Sequence, residues 1–478
     1  MKEKNKVSSG VAGLDEILKG GFLPQKSYLI KGGPGTGKST LGYHFLDKAL
    51  KDGAEVLYIT LGETRENIIE NGSQLGIDLS DAHFLDLSPG EDVYRNSKTY
   101  SVFSPVEVEQ EPMIQSIVEA VEKYSPSCVF LDSITMLQSL NQDPFQMRNM
   151  ALSFIQFVCN KGATLLITSE AHDQASDKEA TFWVDGIIHL EYSLDWRRVT
   201  VSKYRGSDFL HGNHAFKIDE RGVTVYPRLR PGNYERNFQS DPISTGINEL
   251  DELLHGGLER GTVSIISGPT GVGKTNFGIQ FAKEAASRGD RSAVYTFEES
   301  ADVLAKRSES IGVPVKSMIE NGNLTITSVE PLSYSPDEFA ALVRSDIEEN
   351  DTKIVIIDSV GGYSLSVREE NTLERLHSLT VFLQNMGVTT LLIHETANVT
   401  GQFETTGMNA SYLADNIIFL RYLELNGELR KAIGVLKKRM SDFERSIREF
   451  DITKDGLRVG GKLTKLRGIL TGLPENTQ

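Results

Sequence analysis

The sequence predicts an α/β protein built twice over, with two tandem domains. Each is a mostly parallel twisted sheet with helices on both faces and antiparallel strands at one edge. Three observations lead there. The segment GVAGLDEILKGG at 10–21 returns as GINELDELLHGG at 246–257, and self-similarity of this kind marks a repeated architecture. Within each copy, short β-branched runs alternate with amphipathic helical patterns, as parallel strands with crossover helices require. Each copy then closes on strand-like runs with no helix between them, which calls for antiparallel pairing.

The first copy runs in order through SYLIKG, STLGYHFLDKAL, EVLYITL, CVFLDS and TLLITSE, and closes on GIIHLEY and RRVTVSKYRG. A constant shift carries GGPGTGKST onto SGPTGVGKT, Lys38 onto Lys274 and Glu63 onto Glu299. The shift shortens by the time Asp132 (CVFLDS) meets Asp358 (KIVIIDS), so the first copy holds extra residues. The segment at 90–112, GEDVYRNSKTYSVFSPVEVEQEP, is polar and aromatic and reads as a long loop housing them. PRLRPGNYERNFQSDP at 227–242 has three prolines and little periodicity, and reads as a linker. The expected division is a first domain at 1–226, the linker at 227–242, a second domain at 243–464 and a short tail at 465–478.

A chain of 478 residues suits two or three domains. Its formal net charge of −16 gives no broad positive field, which disfavours constitutive nucleic-acid binding. Cys128 and Cys159 lie in apolar stretches and read as buried reduced thiols, as suits a cytoplasmic protein. No signal-peptide core and no run of about 18 apolar residues is present, so neither export by that route nor a membrane span is expected.

The chemistry starts at Gly32-Gly33-Pro34-Gly35-Thr36-Gly37-Lys38-Ser39, which fits G-x-x-x-x-G-K-[ST] between a predicted strand and a predicted helix. Gly268 to Thr275 fits equally, through Thr270, Gly271, Val272, Gly273 and Lys274. Glycines let backbone amides converge on nucleotide phosphates, and the lysine neutralises β/γ charge. Ser39 or Thr275 can hold magnesium, while Thr40 and Asn276 continue the site into each helix. ATP and Mg2+ are the expected cofactors. Asp132 and Asp358 end apolar strands, each before a serine, where P-loop enzymes place a magnesium carboxylate; a strand-end aspartate can otherwise cap a turn. Phosphoryl chemistry also needs a carboxylate to orient the attacking oxygen, and Glu298-Glu299 end the predicted strand YTFEES directly after the phosphate-loop helix. The first copy has Gly62-Glu63 there, so its first carboxylate is missing. Lys203-Tyr204-Arg205 and Lys437-Lys438-Arg439 lie on late strands at equivalent places, the outer cations of each sharing one face. They read as fingers reaching a neighbouring subunit's γ-phosphate, which requires a ring.

These residues together resemble the KaiC family, circadian clock ATPases and autokinases with their wider prokaryotic relatives. The resemblance covers nearly the whole chain, from Val7 to about Leu473. It implies two RecA-like P-loop NTPase domains per chain and a homohexamer of two stacked rings with ATP between subunits. It further implies slow ATPase activity in the first domain and serine/threonine autophosphorylation in the second. Glu298 would then be the base or magnesium-side carboxylate, Glu299 its supporting partner, and Lys437 and Arg439 trans fingers. Three features depart from the pattern. The adjacent Ser-Thr phosphoacceptors of the family align with Ser411-Tyr412, so Ser411 is the expected acceptor, with Tyr412, Thr405 and Thr406 behind it. Gly62 removes the first-ring counterpart of Glu298, and the sequence stops at LRGILTGLPENTQ, short of the clock members' long regulatory tail.

A hexameric ATPase and serine autokinase in signalling, with an unidentified regulatory protein as partner, is the leading expectation. An ATP-assembled scaffold with little catalysis is favoured by Gly62 and Tyr412 and opposed by the intact Glu298, Glu299, Lys437 and Arg439 set. A DNA-acting motor rests on fold alone and is opposed by the acidic balance.

Overall fold

The computed structural model describes residues 6–88, 105–134, 144–170, 182–193, 196–367, 371–396, 412–425, 427–454, 456–464, 466–469 and 475–476. The chain divides into two compact units, Met1–Arg228 and Leu229–Gln478.

In the first unit the strands are β1 (Ser27–Gly32), β2 (Val56–Thr60), β3 (His83–Asp86), β4 (Cys128–Asp132), β5 (Thr164–Glu170), β6 (Gly186–Ser193), β7 (Trp196–Tyr204), β8 (His214–Asp219) and β9 (Gly222–Tyr226). They form one nine-stranded sheet in the order β3-β2-β4-β5-β1-β6-β7-β8-β9. Pairing is parallel from β3 to β6 and antiparallel from β6 onward.

The second unit opens with a short antiparallel pair, β10 (Pro242–Ile243) and β11 (Leu258–Glu259). Its main strands are β12 (Val263–Gly268), β13 (Ser292–Thr296), β14 (Leu324–Ser328), β15 (Ile354–Asp358), β16 (Thr389–Glu395), β17 (Asn416–Leu425), β18 (Glu428–Lys438), β19 (Arg448–Thr453) and β20 (Gly456–Lys462). The same order recurs as β14-β13-β15-β16-β12-β17-β18-β19-β20, as the sequence predicts. Central strands covered on both faces must be apolar throughout. In β1, Tyr28 and Ile30 join one core cluster while Leu29 joins the other, so consecutive side chains serve opposite layers. In β12, Ile266 and Ile265 divide in the same way.

Helices α1 (Ala12–Ile17), α2 (Lys38–Lys51), α3 (Arg65–Gln74), α4 (Pro105–Tyr124) and α5 (Pro144–Asn160) serve the first unit. The repeated LDE motif proves structural. The Asp15 carboxylate accepts from the Ser8 hydroxyl at 2.5 Å and the Ser9 amide at 2.8 Å, and Asp251 accepts from Ser244 and Thr245 at the same distances.

One sequence reading is corrected. The long loop at 90–112 is helical from Pro105, which begins α4 as a residue with no amide to leave unpaired; residues 90–104 lie outside the described residues. The segment at 227–242 has contacts of its own within the second unit. Leu229 and Tyr234 lie against its core, the Tyr234 ring meets Phe382 edge-on at 5.0 Å, and the Arg236 amide donates to the Asn385 carbonyl at 3.0 Å. Its prolines limit periodicity, but its aromatic and arginine side chains still find partners.

Candidate functional site

Each phosphate loop joins a buried central strand to the N-terminus of the following helix, where amides without intrahelical partners gather. Gly35 and Gly37 have φ of +70° and +95°, and Gly271 and Gly273 have +75° and +117°, so the motif's spacing encodes left-handed positions that side chains avoid. A Cβ on Gly37 would lie 2.5 Å from Ile218 Cδ1, and one on Gly273 the same distance from Ile452 Cδ1. A Cβ on Gly33 or Gly35 would meet nothing within 4 Å. That open, amide-rich cradle fits a polyphosphate.

Lys38 Nζ donates to the Gly32 and Gly33 carbonyls at 2.9 Å, and Lys274 Nζ to the Pro269 carbonyl at 2.8 Å. Burial pushes both ammonium pKa values down, against the pull of nearby carboxylates. Thr36 donates back to the Gly33 carbonyl at 2.9 Å, and Val272, its counterpart, is buried. Thr40 is half-buried on the first turn of α2, and Asn276 takes the same place on α6 (Lys274–Ser287) with a buried, unpaired side-chain oxygen.

The expected magnesium residues come together. Ser39 Oγ donates to Asp132 Oδ2 at 2.6 Å, and Thr275 Oγ1 to Asp358 Oδ2 at 2.7 Å. Among the described residues, no cluster of three or more His, Cys, Asp or Glu side chains could hold a metal. A hydroxyl beside one carboxylate fits Mg2+, which keeps waters and substrate phosphates as its other ligands. Asp132 also accepts from Thr168 at 2.5 Å and Tyr58 at 3.3 Å, whereas Asp358 is buried and lies beside Glu298 and Glu299. Burial first, then those two acids, push the Asp358 carboxyl up against the Thr275 hydrogen bond.

Glu298 and Glu299 stand just beyond β13 rather than in it. Glu298 Oε1 accepts from Ser359 Oγ at 2.5 Å, which ties it to the residue after Asp358. Glu299 accepts from Arg307 at 2.6 Å, so its charge is already engaged. Glu63 is exposed, and its carboxylate accepts from the Asn71 side-chain amide at 3.5 Å. The two modules therefore differ in what surrounds this position as well as in Gly62.

The cation clusters lie where their own phosphate loops cannot use them. The Arg439 guanidinium pairs with Asp415 at 3.4 Å, and Asp415 is bonded to the Val263 backbone at the start of β12. Lys437 Nζ donates to the neighbouring Ala414 carbonyl at 2.6 Å. The phosphate loop leaves the other end of β12, at Gly268, five steps and about 17 Å away at strand rise. In the first unit Lys203 pairs in register with Ile187, and the Arg205 amide donates to the Asp185 carbonyl at 2.9 Å. Asp185 is bonded to Ser27 at the start of β1, again the far end. The middle residues point inward: Lys438 Nζ meets Glu259 at 2.9 Å, and Tyr204 donates to the Gly21 carbonyl at 2.5 Å. Both arginines fall just past the strand ends.

Tyr412 is half-exposed and meets His377 edge-on at 5.5 Å, whereas Ser411, Thr405 and Thr406 lie outside the described residues. Sequence reasoning missed Ser359 as the partner of Glu298, Thr168 and Tyr58 as partners of Asp132, and Arg197, whose guanidinium donates to the Gly35 carbonyl at 2.7 Å. The serine after each strand-end aspartate was a visible signal; the others depend on pairing between distant strands.

The sequence profile of the KaiC ATPase family matches residues 7–230 and again 243–464. The chain is 28% identical to the "Circadian clock protein KaiC3" of Synechocystis sp., over 99% of this chain and 95% of that protein. It is 25% identical to the "Circadian clock oscillator protein KaiC" of Parasynechococcus marenigrum, over 98% and 93% of the two chains, and 26% identical to that of Thermosynechococcus vestitus, over 99% and 92%.

Proposed function

The chain belongs to the KaiC family of ATPases, and from that premise we propose that it is a magnesium-dependent ATPase whose sites are completed between neighbouring subunits of a homohexameric double ring. The observation that carries this reading is the placement of Lys203 with Arg205, and Lys437 with Arg439, at the opposite end of the sheet from their own phosphate loops. A γ-phosphate needs cations that neutralise its developing charge. Those cations can serve only another subunit's site, and a repeated head-to-tail contact closes as a ring.

Within one site, the loop amides and Lys274 bind and orient the polyphosphate, and Thr275 with Asp358 holds the metal side. Mg2+ neutralises charge on the β- and γ-oxygens when bound. Glu298, steadied by Ser359, orients the attacking oxygen and draws on its proton, and Glu299 is held as a support by Arg307. In the first module Lys38, Ser39 and Asp132 complete a binding site, but Gly62 leaves it without that carboxylate, so its nucleotide serves assembly more than turnover. The second module also phosphorylates the chain at Ser411, with the Tyr412 ring acting in packing against His377. Light scattering with and without Mg-ATP tests the assembly, and an unchanged monomer mass at saturating Mg-ATP contradicts it. Phosphosite mapping of wild type beside Ser411→Ala tests the acceptor, and undiminished phosphate in the variant contradicts it.

A further inference from the structure

A fourth carboxylate stands at the second phosphate loop, on an element that contributes neither the metal-side aspartate nor the glutamate pair. Glu395 ends β16 and is in register with Gly268, the first residue of the loop. Its carboxylate accepts from the Thr270 hydroxyl in the middle of that loop, and its charge acts on Lys274 more strongly than Asp358 or Glu298 does. Glu395 itself is exposed, so no packing requirement accounts for an acid there. The first module keeps an acid in the same register, with Glu170 opposite Gly32. Its loop carries Pro34 where the second carries Thr270, so it has no hydroxyl to engage at that place.

We propose that Glu395 is a positioning residue that competes with the nucleotide's phosphates for the Thr270 hydroxyl and for Lys274, and so weakens nucleotide binding and speeds ADP release at the second site. An anion within hydrogen-bonding reach of the loop repels a polyphosphate seated there, and it offers the loop's donors an alternative acceptor as product leaves. The proposal rests on reading this loop as an ATP site. It also distinguishes the two modules, because the Thr270 contact exists only in the second.

The test is binding and release of a ribose-labelled fluorescent ADP, with Mg2+, by the full-length protein; the fraction lost in Lys274→Ala identifies the second site. Glu395→Gln keeps size and hydrogen-bonding capacity while removing the charge. It is expected to tighten that site roughly three- to tenfold and to slow release by a similar factor, the gap closing as salt is raised. Glu395→Asp retains the charge and is expected to stay near wild type. A merely structural role predicts the opposite sign, so unchanged or weaker binding in Glu395→Gln, with Lys274-dependent binding intact in wild type, overturns the proposal. Absence of any Lys274-dependent binding in wild type would instead overturn the ATP-site reading itself.

Discussion

Replacing Glu298 by glutamine separates the two modules most sharply. The amide keeps the side chain's shape and an oxygen to accept from Ser359, now at 2.5 Å from Glu298 Oε1, so the local geometry survives. What is lost is the charge that orients the attacking oxygen and takes up its proton. Acid–base assistance of this kind contributes about 10²- to 10⁴-fold, and with the geometry kept the expected loss of turnover is about 10²- to 10³-fold, or about 3 to 4 kcal/mol. Because Glu298 is exposed, the melting transition should move by no more than about 0.5 kcal/mol. Glu63→Gln, at a side chain that meets Asn71 at 3.5 Å, should lower turnover less than about twofold. The assay is steady-state phosphate release by ring-sized protein. Equal losses from the two substitutions would refute the assignment of turnover to the second module.

Two further outcomes follow from the geometry. Gly273→Ala puts a Cβ at φ +117° and 2.5 Å from Ile452 Cδ1, at a cost of about 1–2 kcal/mol, so nucleotide affinity at the second site should fall about tenfold or more by fluorescent-nucleotide titration. Gly33→Ala, whose Cβ meets nothing within 4 Å, should leave melting nearly unchanged while weakening binding at the first site; a large melting shift would show that the cradle is occupied by protein. The hydrogen bond from Arg448, against an opposing effect of burial and with help from Lys462, holds the Glu444 carboxyl down at about 2. A depressed carboxyl contributes stability above its unfolded pKa, and that contribution fades as pH falls through the folded value. Wild type should therefore lose more melting temperature than Glu444→Gln between about pH 5 and about pH 3, and parallel profiles would contradict this.

The phosphate loops were legible because glycine spacing is a local backbone instruction: Gly35, Gly37, Gly271 and Gly273 all take the positive φ that their motif demands. The parallel sheet with its antiparallel edge was legible from the alternation of apolar runs and helical patterns, and from the helix-free end of each copy; the order of the strands was not. Contacts made across the fold were not. Ser359 meets Glu298 because β15 lies beside β13, and Glu395 reaches Thr270 because β16 lies beside β12. No local pattern announces either neighbour. The contacts of the 227–242 segment were hidden for a related reason: its prolines suppress periodicity, while Tyr234 and Arg236 find their partners on helix and loop residues far along the chain.

The most direct test of subunit-shared sites is a mixing experiment with two separately inactive proteins, Glu298→Gln and Arg439→Ala. If Arg439 serves the neighbouring site, a random one-to-one ring places an intact Glu298 site against an intact Arg439 at about one interface in four. Turnover should then recover to about a quarter of wild type once subunits have exchanged. If Arg439 serves its own subunit's site, every site in the mixture carries one defect, and turnover that stays at the level of the unmixed variants in exchanged rings would contradict a site completed by the neighbour.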